Sequence, residues 1–98
     1  MVPSPDQRDN SRFPHAASIM FENSASGRYY EGRMVNYSRG GMYFESDFAP
    51  KVGTEIFIGV ENSPYTSGHD VYRAKVIWKK ELDDRQSFFL HGVGVKYF

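Results

Sequence analysis

The sequence predicts an all-β domain: six antiparallel strands forming a barrel or a sandwich, with little or no helix. Aromatic residues make up 16% of the 98 residues, and aromatic side chains favour strands. Nine Gly and five Pro interrupt the chain at short intervals, which suits turns better than long helices. Alternating apolar and polar segments also recur every roughly eight to fifteen residues, a spacing typical of small barrels and sandwiches.

The first 15 residues differ from the rest of the chain. They contain Pro3, Pro5 and Pro14 and almost nothing apolar before Phe13. Such a segment has little surface to bury, and its prolines oppose helix formation. We therefore expect two parts: a flexible N-terminal arm over residues 1–15 and a folded β domain over residues 16–98.

Six segments of the folded part have the alternation of strands, and polar or glycine-containing turns separate them. The longest places Tyr72, Ala74, Val76 and Trp78 on one face of its strand. In the last segment, Gly92 and Gly94 leave room for a bend or bulge. The expected core includes Phe21, Tyr30, Phe44, Phe57 and Val76. The predicted strands are residues 18–22, 28–35, 42–45, 55–60, 71–80 and 88–98.

Charge and cysteine content exclude several classes of protein. Twelve basic residues balance twelve acidic ones, whereas proteins that bind long nucleic acid usually show a basic excess. There is no cysteine and no apolar run of membrane-spanning length. The N-terminus also lacks a signal-peptide pattern. We expect a cytoplasmic protein without membrane insertion, whose anionic ligand is small and held by a few local arginines.

Two short motifs indicate where that ligand binds. Arg8 and Arg12 lie four residues apart in the polar arm, and guanidinium groups make paired hydrogen bonds to flat anionic ligands. Asn36, Ser38 and Gly41 lie in a polar turn between the second and third predicted strands. Glycine in such a turn permits positive φ and close approach of backbone N–H groups to a ligand.

With these motifs in this order, the sequence resembles the PilZ family, bacterial receptor domains for cyclic di-GMP. The resemblance extends over residues 52–54, 74–78 and 92–98, and so covers essentially the whole chain. It implies a six-stranded antiparallel β-barrel of PilZ type. Two features depart from the family pattern: Asn36 stands where Asp is frequent, and no helix follows the last strand. The implied ligand contacts are Arg8, Arg12, Asn36, Ser38, Gly40 and Gly41, with Gln7, Arg39 and Trp78 as possible additions.

The resemblance also implies a mechanism. The arm would fold over cyclic di-GMP and hold it against the turn at 36–41, and the closed arm would signal to a partner protein or domain. The chemistry agrees, because an arginine can bond guanine O6 and N7 or stack on the purine. For Trp78, ligand contact and simple core packing are equally compatible with the sequence.

Two other functions remain open at this stage. One is a protein-interaction adaptor of the same fold that does not use the nucleotide, although such relatives usually lack the arginine pair. The other is a small barrel that binds single-stranded nucleic acid, which the neutral charge disfavours. We expect no enzyme, no metal and no cofactor, because no catalytic arrangement is recognisable and the histidines lack metal-ligand spacing. These are His15, His69 and His91.

Overall fold

The chain forms a closed antiparallel β-barrel in a computed structural model, which describes residues 13–61, 70–83 and 88–98. Going around the barrel, the strands follow the order β1-β2-β3-β6-β5-β4. Their bounds are β1 Phe13–Asn23, β2 Tyr29–Ser38, β3 Gly41–Ser46, β4 Glu55–Val60, β5 Asp70–Glu81 and β6 His91–Tyr97.

Pairing of β1 with β4 closes the barrel. The two strands run antiparallel from the pair Ile19–Val60 to the pair Asn23–Ile56, and every other neighbouring pair is antiparallel as well. Each of the six strands therefore has a neighbouring strand on both sides, which distinguishes this arrangement from an open sandwich. The predicted six-stranded barrel is confirmed. In the described residues, no helix is long and apolar enough to cross a membrane.

Alternation along the strands fills the barrel interior with apolar side chains. Phe21, Phe44 and Val76 are fully buried, as expected, and Tyr30 packs against the core from its margin. The prediction for Phe57 was wrong, since this residue is 38% exposed. On β4 the inner positions belong to Ile56, Ile58 and Val60, so Phe57 points outward.

Three strand boundaries differ from the predicted ones by three residues or more, and the others differ by at most one. Strand β2 ends at Ser38 and not at residue 35, so Asn36 and Ser38 belong to the strand. Strand β1 begins at Phe13, five residues before the expected start, because Phe13 and Pro14 pair with Tyr37 and Asn36 of β2. A bulge between Pro14 and Ala17 follows, and proline is tolerated beside such an irregularity. Strand β6 begins at His91 rather than at residue 88. The division into a flexible arm and a folded domain stays a prediction, because residues 1–12 lie outside the described part.

Two further bulges decide which side chains reach the outer surface. On β2 the pairing register shifts between Met34 and Asn36, and on β5 it shifts between Val76 and Trp78. Without the extra residue, positions two apart would share a face. Met34 and Val76 are fully buried, whereas Trp78 is 36% exposed. Trp78 therefore does not share the inner face with Ala74 and Val76, contrary to the prediction from simple alternation.

A matched pair of phenylalanine truncations tests this assignment of inner and outer faces. Phe44→Ala is expected to lower the free energy of unfolding by ~3–5 kcal/mol, because it leaves a cavity among fully buried neighbours. Phe57→Ala is expected to lower it by about 1 kcal/mol, since the ring already contacts water. Urea denaturation measures both, and equal losses would contradict the assignment.

Candidate functional site

The outer face of the barrel carries a row of four residues from four neighbouring strands. Asn36 of β2 is opposite Tyr43 of β3, Tyr43 is opposite Gly94 of β6, and Gly94 is opposite Trp78 of β5. The Cβ positions of residues paired in this way lie about 4.5–5.5 Å apart, so their side chains interact directly. The row therefore brings one amide and two aromatic rings together on a single surface.

The two rings pack on each other and on a glycine floor. The ring centroids of Tyr43 and Trp78 are 5.4 Å apart with an interplanar angle of 17°. A Cβ added to Gly94 would overlap the Trp78 ring, and one added to Gly92 would overlap the Tyr43 ring. These glycines do not produce a bulge in β6. Their missing side chains let the two rings lie directly on the strand.

Charged groups flank the aromatic pair. The Lys80 ammonium nitrogen lies 5.4 Å from the Tyr43 ring centroid and 6.0 Å from that of Trp78, within the range of cation–π attraction. The Tyr43 hydroxyl donates a hydrogen bond of 3.3 Å to the Glu45 carboxylate. Arg33 Nη2 lies 3.9 Å from the other oxygen of that carboxylate. Asn36, Tyr43, Trp78 and Lys80 together line a shallow cavity of about 240 Å³.

The Tyr43 hydroxyl is a weak acid in this setting. Partial burial, the negative charge of Glu45 and the hydrogen bond to Glu45 together raise the pKa of Tyr43 to about 12. Each of these effects favours the neutral phenol over the phenolate. The phenol therefore stays protonated at pH 10, where an ordinary tyrosine is half ionised. The cation beside the rings is Lys80.

The polar turn beside the cavity is a tight hairpin. Ser38 pairs with Gly41, which leaves Arg39 and Gly40 as the two turn residues. The backbone N–H of Tyr97 donates to the Gly40 carbonyl, with a distance of 2.8 Å, and ties the hairpin to the end of β6. Ser38 is buried, while Arg39 and Gly40 are exposed.

The reason for the glycines in this turn differs from the expected one. Positive φ occurs at Gly27 and Gly53 among the described glycines, and therefore at neither Gly40 nor Gly41. A Cβ on Gly41 would instead overlap the backbone carbonyl oxygen of Val95. Gly41 thus allows β3 to approach β6 closely, which is a requirement of the fold itself. A Cβ on Gly40 would meet nothing within 4 Å.

The structure brings together part of the predicted site. Asn36 and Trp78 line one cavity, and Ser38, Arg39, Gly40 and Gly41 form the hairpin next to it. The remaining predicted residues lie outside the described part of the chain; they are Gln7, Arg8 and Arg12. Among described residues there is no cluster of three or more His, Cys, Asp or Glu that is able to hold a metal ion.

Sequence reasoning missed Tyr43 and Lys80. A signal for Tyr43 was present, because counting back from a two-residue turn at Arg39 and Gly40 places Asn36 opposite Tyr43. Lys80 had a signal as well, because it lies two residues after the candidate Trp78 on the same strand, and regular alternation places both on one face.

Comparisons with known proteins agree with this architecture. A family model described as "PilZ domain" matches residues 6–98, which include Arg8 and Arg12. A solved structure described as the "PilZ domain with c-di-GMP of YcgR from Escherichia coli" is similar, with a TM-score of 0.71 and 16% sequence identity. The similarity covers 94% of this chain and 78% of that one, and at this identity it concerns the fold. A comparison with curated protein sequences gave no match.

Gly94→Ala tests the glycine floor beneath the aromatic pair. The added methyl group overlaps the Trp78 ring, so the ring is expected to move into water and the protein to lose ~1–3 kcal/mol of stability. Trp78 is the one tryptophan in the sequence, and a red shift of its fluorescence reports the movement. Gly59→Ala serves as the control, because its Cβ would lie 3.8 Å from the nearest atom. An unchanged emission spectrum in folded Gly94→Ala would contradict the packing.

The raised pKa of Tyr43 predicts a loss of stability at alkaline pH. The folded protein retains the phenol proton between pH 10 and about 12, whereas the unfolded chain releases it. This contribution to stability is complete below pH 10 and is lost as the pH rises through 12. The unfolding free energy of the wild type should therefore fall more steeply over this interval than that of Tyr43→Phe. Urea denaturation at each pH measures both free energies. If those of the wild type and Tyr43→Phe fall in parallel between pH 10 and 12, the pKa of Tyr43 is not raised.

Proposed function

The chain belongs to the PilZ family, and we propose that it is a receptor domain for cyclic di-GMP without a catalytic step of its own. The observation that carries the proposal is the stacked Tyr43–Trp78 pair, with Asn36 on one side and Lys80 above it. The bound nucleotide in the similar YcgR domain adds support for this choice of ligand.

Each group in the cavity matches a part of the nucleotide. A purine stacks on the exposed side of the aromatic pair, and such stacking contributes ~1–3 kcal/mol per base. The Asn36 amide offers a donor and an acceptor to the edge of the base. Lys80 then moves from above the rings to a phosphate, exchanging a cation–π contact for a stronger charge-assisted hydrogen bond.

The entry of the chain into β1 favours a role for the two arginines of the arm. Phe13 pairs with Tyr37 and Pro14 pairs with Asn36, so β1 starts directly beside the polar hairpin. Arg12 immediately precedes that start. An extended chain advances at most ~3.6 Å per residue, which keeps Arg8 within about 18 Å of Phe13. Both guanidinium groups are therefore within reach of a ligand on the Tyr43–Trp78 surface.

Closure of the arm over the ligand provides the signal. Ordering the arm costs ~1–2 kcal/mol of backbone entropy per residue, and the arginine–guanine and arginine–phosphate contacts must exceed that cost. The closed arm then presents a surface to a partner protein or domain in the cytoplasm. Binding without closure would occupy the site but send no signal.

Isothermal titration calorimetry with cyclic di-GMP tests the proposal. The wild type is expected to bind with micromolar or better affinity, and Arg8→Ala or Arg12→Ala should weaken binding at least tenfold, which corresponds to about 1.4 kcal/mol. Arg28→Ala is the matched control, because Arg28 is exposed, lies just before β2 and is outside the cavity. Its affinity should equal that of the wild type.

Trp78→Ala separates the preformed surface from the arm. It should also lower the affinity at least tenfold, because it removes the stacking face while leaving both arginines in place. Absence of nucleotide binding by the intact chain would overturn the proposal. A nucleotide-independent adaptor of the same fold would then be the better description.

A further inference from the structure

A second apolar surface lies away from the nucleotide site; it is centred on the outer side of β1 and β4 and extends to β2 and β5. Met20 is opposite Gly59, which is opposite Val71, and Glu22 lies between Tyr29 and Phe57. Four large apolar side chains are therefore contiguous there. They are exposed by 44% at Met20, 65% at Tyr29, 38% at Phe57 and 59% at Val71. We call this surface the acidic face, for the carboxylates that surround it.

The acidic face is hollow at its centre, and the charged side chains that line its hollows are glutamates. Arg73, opposite Phe57 at one side of the face, is bonded to Glu55. A Cβ added to Gly59 would meet only the Met20 carbonyl oxygen, at 3.8 Å, so a depression of about 260 Å³ opens above the strand. An adjoining depression of about 530 Å³ shares Met20 and Gly59. Among described residues, Glu22, Glu31 and Glu61 line the two depressions and no lysine or arginine does. Contiguous exposed apolar patches of this kind mark interaction surfaces.

A surface of opposite charge lies on β5 and β6. A depression of about 390 Å³ there is lined by Lys75, Ile77, Lys96, Tyr97 and Phe98, and the charged side chains among them are the two lysines. We call it the basic face. Ile77 and Phe98 are exposed by 43% and 67%, so this face also presents apolar side chains between charges.

The basic face carries an electrostatic cost within a single barrel. Lys75 and Lys96 are directly opposite each other on adjacent strands, and like charges in that position are destabilising. Glu55 lies on the other side of Lys75, but it is bonded to Arg73. Carboxylates from outside the barrel would relieve this repulsion.

We propose that the acidic face of one copy of this chain binds the basic face of a second copy. The complement that each face requires, namely apolar side chains flanked by the opposite charge, is present on the same molecule. The two faces are centred on different strand pairs of a closed barrel and therefore point in different directions. The contact is head-to-tail, and each copy in it uses a different surface.

The proposal does not depend on cyclic di-GMP, because none of the cavity-lining residues Asn36, Tyr43, Trp78 and Lys80 belongs to either face. The test uses the full chain without nucleotide, in sedimentation velocity from low to high micromolar concentration. The wild type should self-associate, and high salt should weaken the association because it screens exposed charges.

A mixing experiment distinguishes a head-to-tail contact from a symmetric one. Gly59→Gln fills the hollow of the acidic face, and Ile77→Glu removes apolar surface and positive character from the basic face. Each variant alone should be monomeric. An equimolar mixture should form a 1:1 dimer that grows no further, since one intact face of each variant remains.

Val52→Ser is the control, because Val52 is an exposed apolar residue outside both faces; it should associate like the wild type. Circular dichroism and thermal melting establish that every variant is folded. A monomeric wild type at high micromolar concentration would overturn the proposal. Folded variants that stay monomeric when mixed, or that associate as strongly as the wild type when alone, would overturn it as well.

Discussion

The candidate site depends on two interruptions of strand alternation. In a regular strand Met34 and Asn36 would face the same way, as would Val76 and Trp78. A bulge between the members of each pair keeps the first residue in the core and turns the second outward. Strands β3 and β6 lie between the two bulged strands and are paired regularly with each other. The site is therefore built by re-aiming two side chains across an otherwise regular part of the sheet.

Glycine and charge then give this surface its properties. Gly92 and Gly94 let two large rings lie against β6, where any side chain would hold them away. Glu45 accepts a hydrogen bond from Tyr43 and lies near Arg33, so it fixes the position of the phenol hydroxyl. The result is a flat, neutral aromatic surface with a cation above it. A purine attached to a phosphate has the complementary shape and charge.

Local patterns predicted the architecture well, because they report which residues alternate and where turns occur. Such patterns predict the strand segments and the burial of Phe21 and Phe44. They also predict that Asn36 lies at a hairpin. Phe57 was assigned to the core and Trp78 to the face of Val76, and these two assignments were wrong for different reasons. Phe57 is apolar on an outer position, and hydrophobicity alone does not reveal the face. Trp78 follows a bulge whose energy comes from pairing with β6, more than a dozen residues away, so no local signal records it.

The residues that line the cavity come from three separate strands, and this has a consequence for folding. The lining residues meet only when β5 has paired with β6 and β6 has paired with β3; they are Asn36, Tyr43, Trp78 and Lys80. The pairing of β3 with β6 joins residues some fifty positions apart in the sequence. A fragment or a partly folded chain lacks the cavity altogether. Any ligand of this cavity thus binds the native barrel alone, and at a hundred times its dissociation constant adds about 2.7 kcal/mol to the free energy of unfolding. In the cell, occupancy of this cavity would also lengthen the lifetime of the protein against proteolysis.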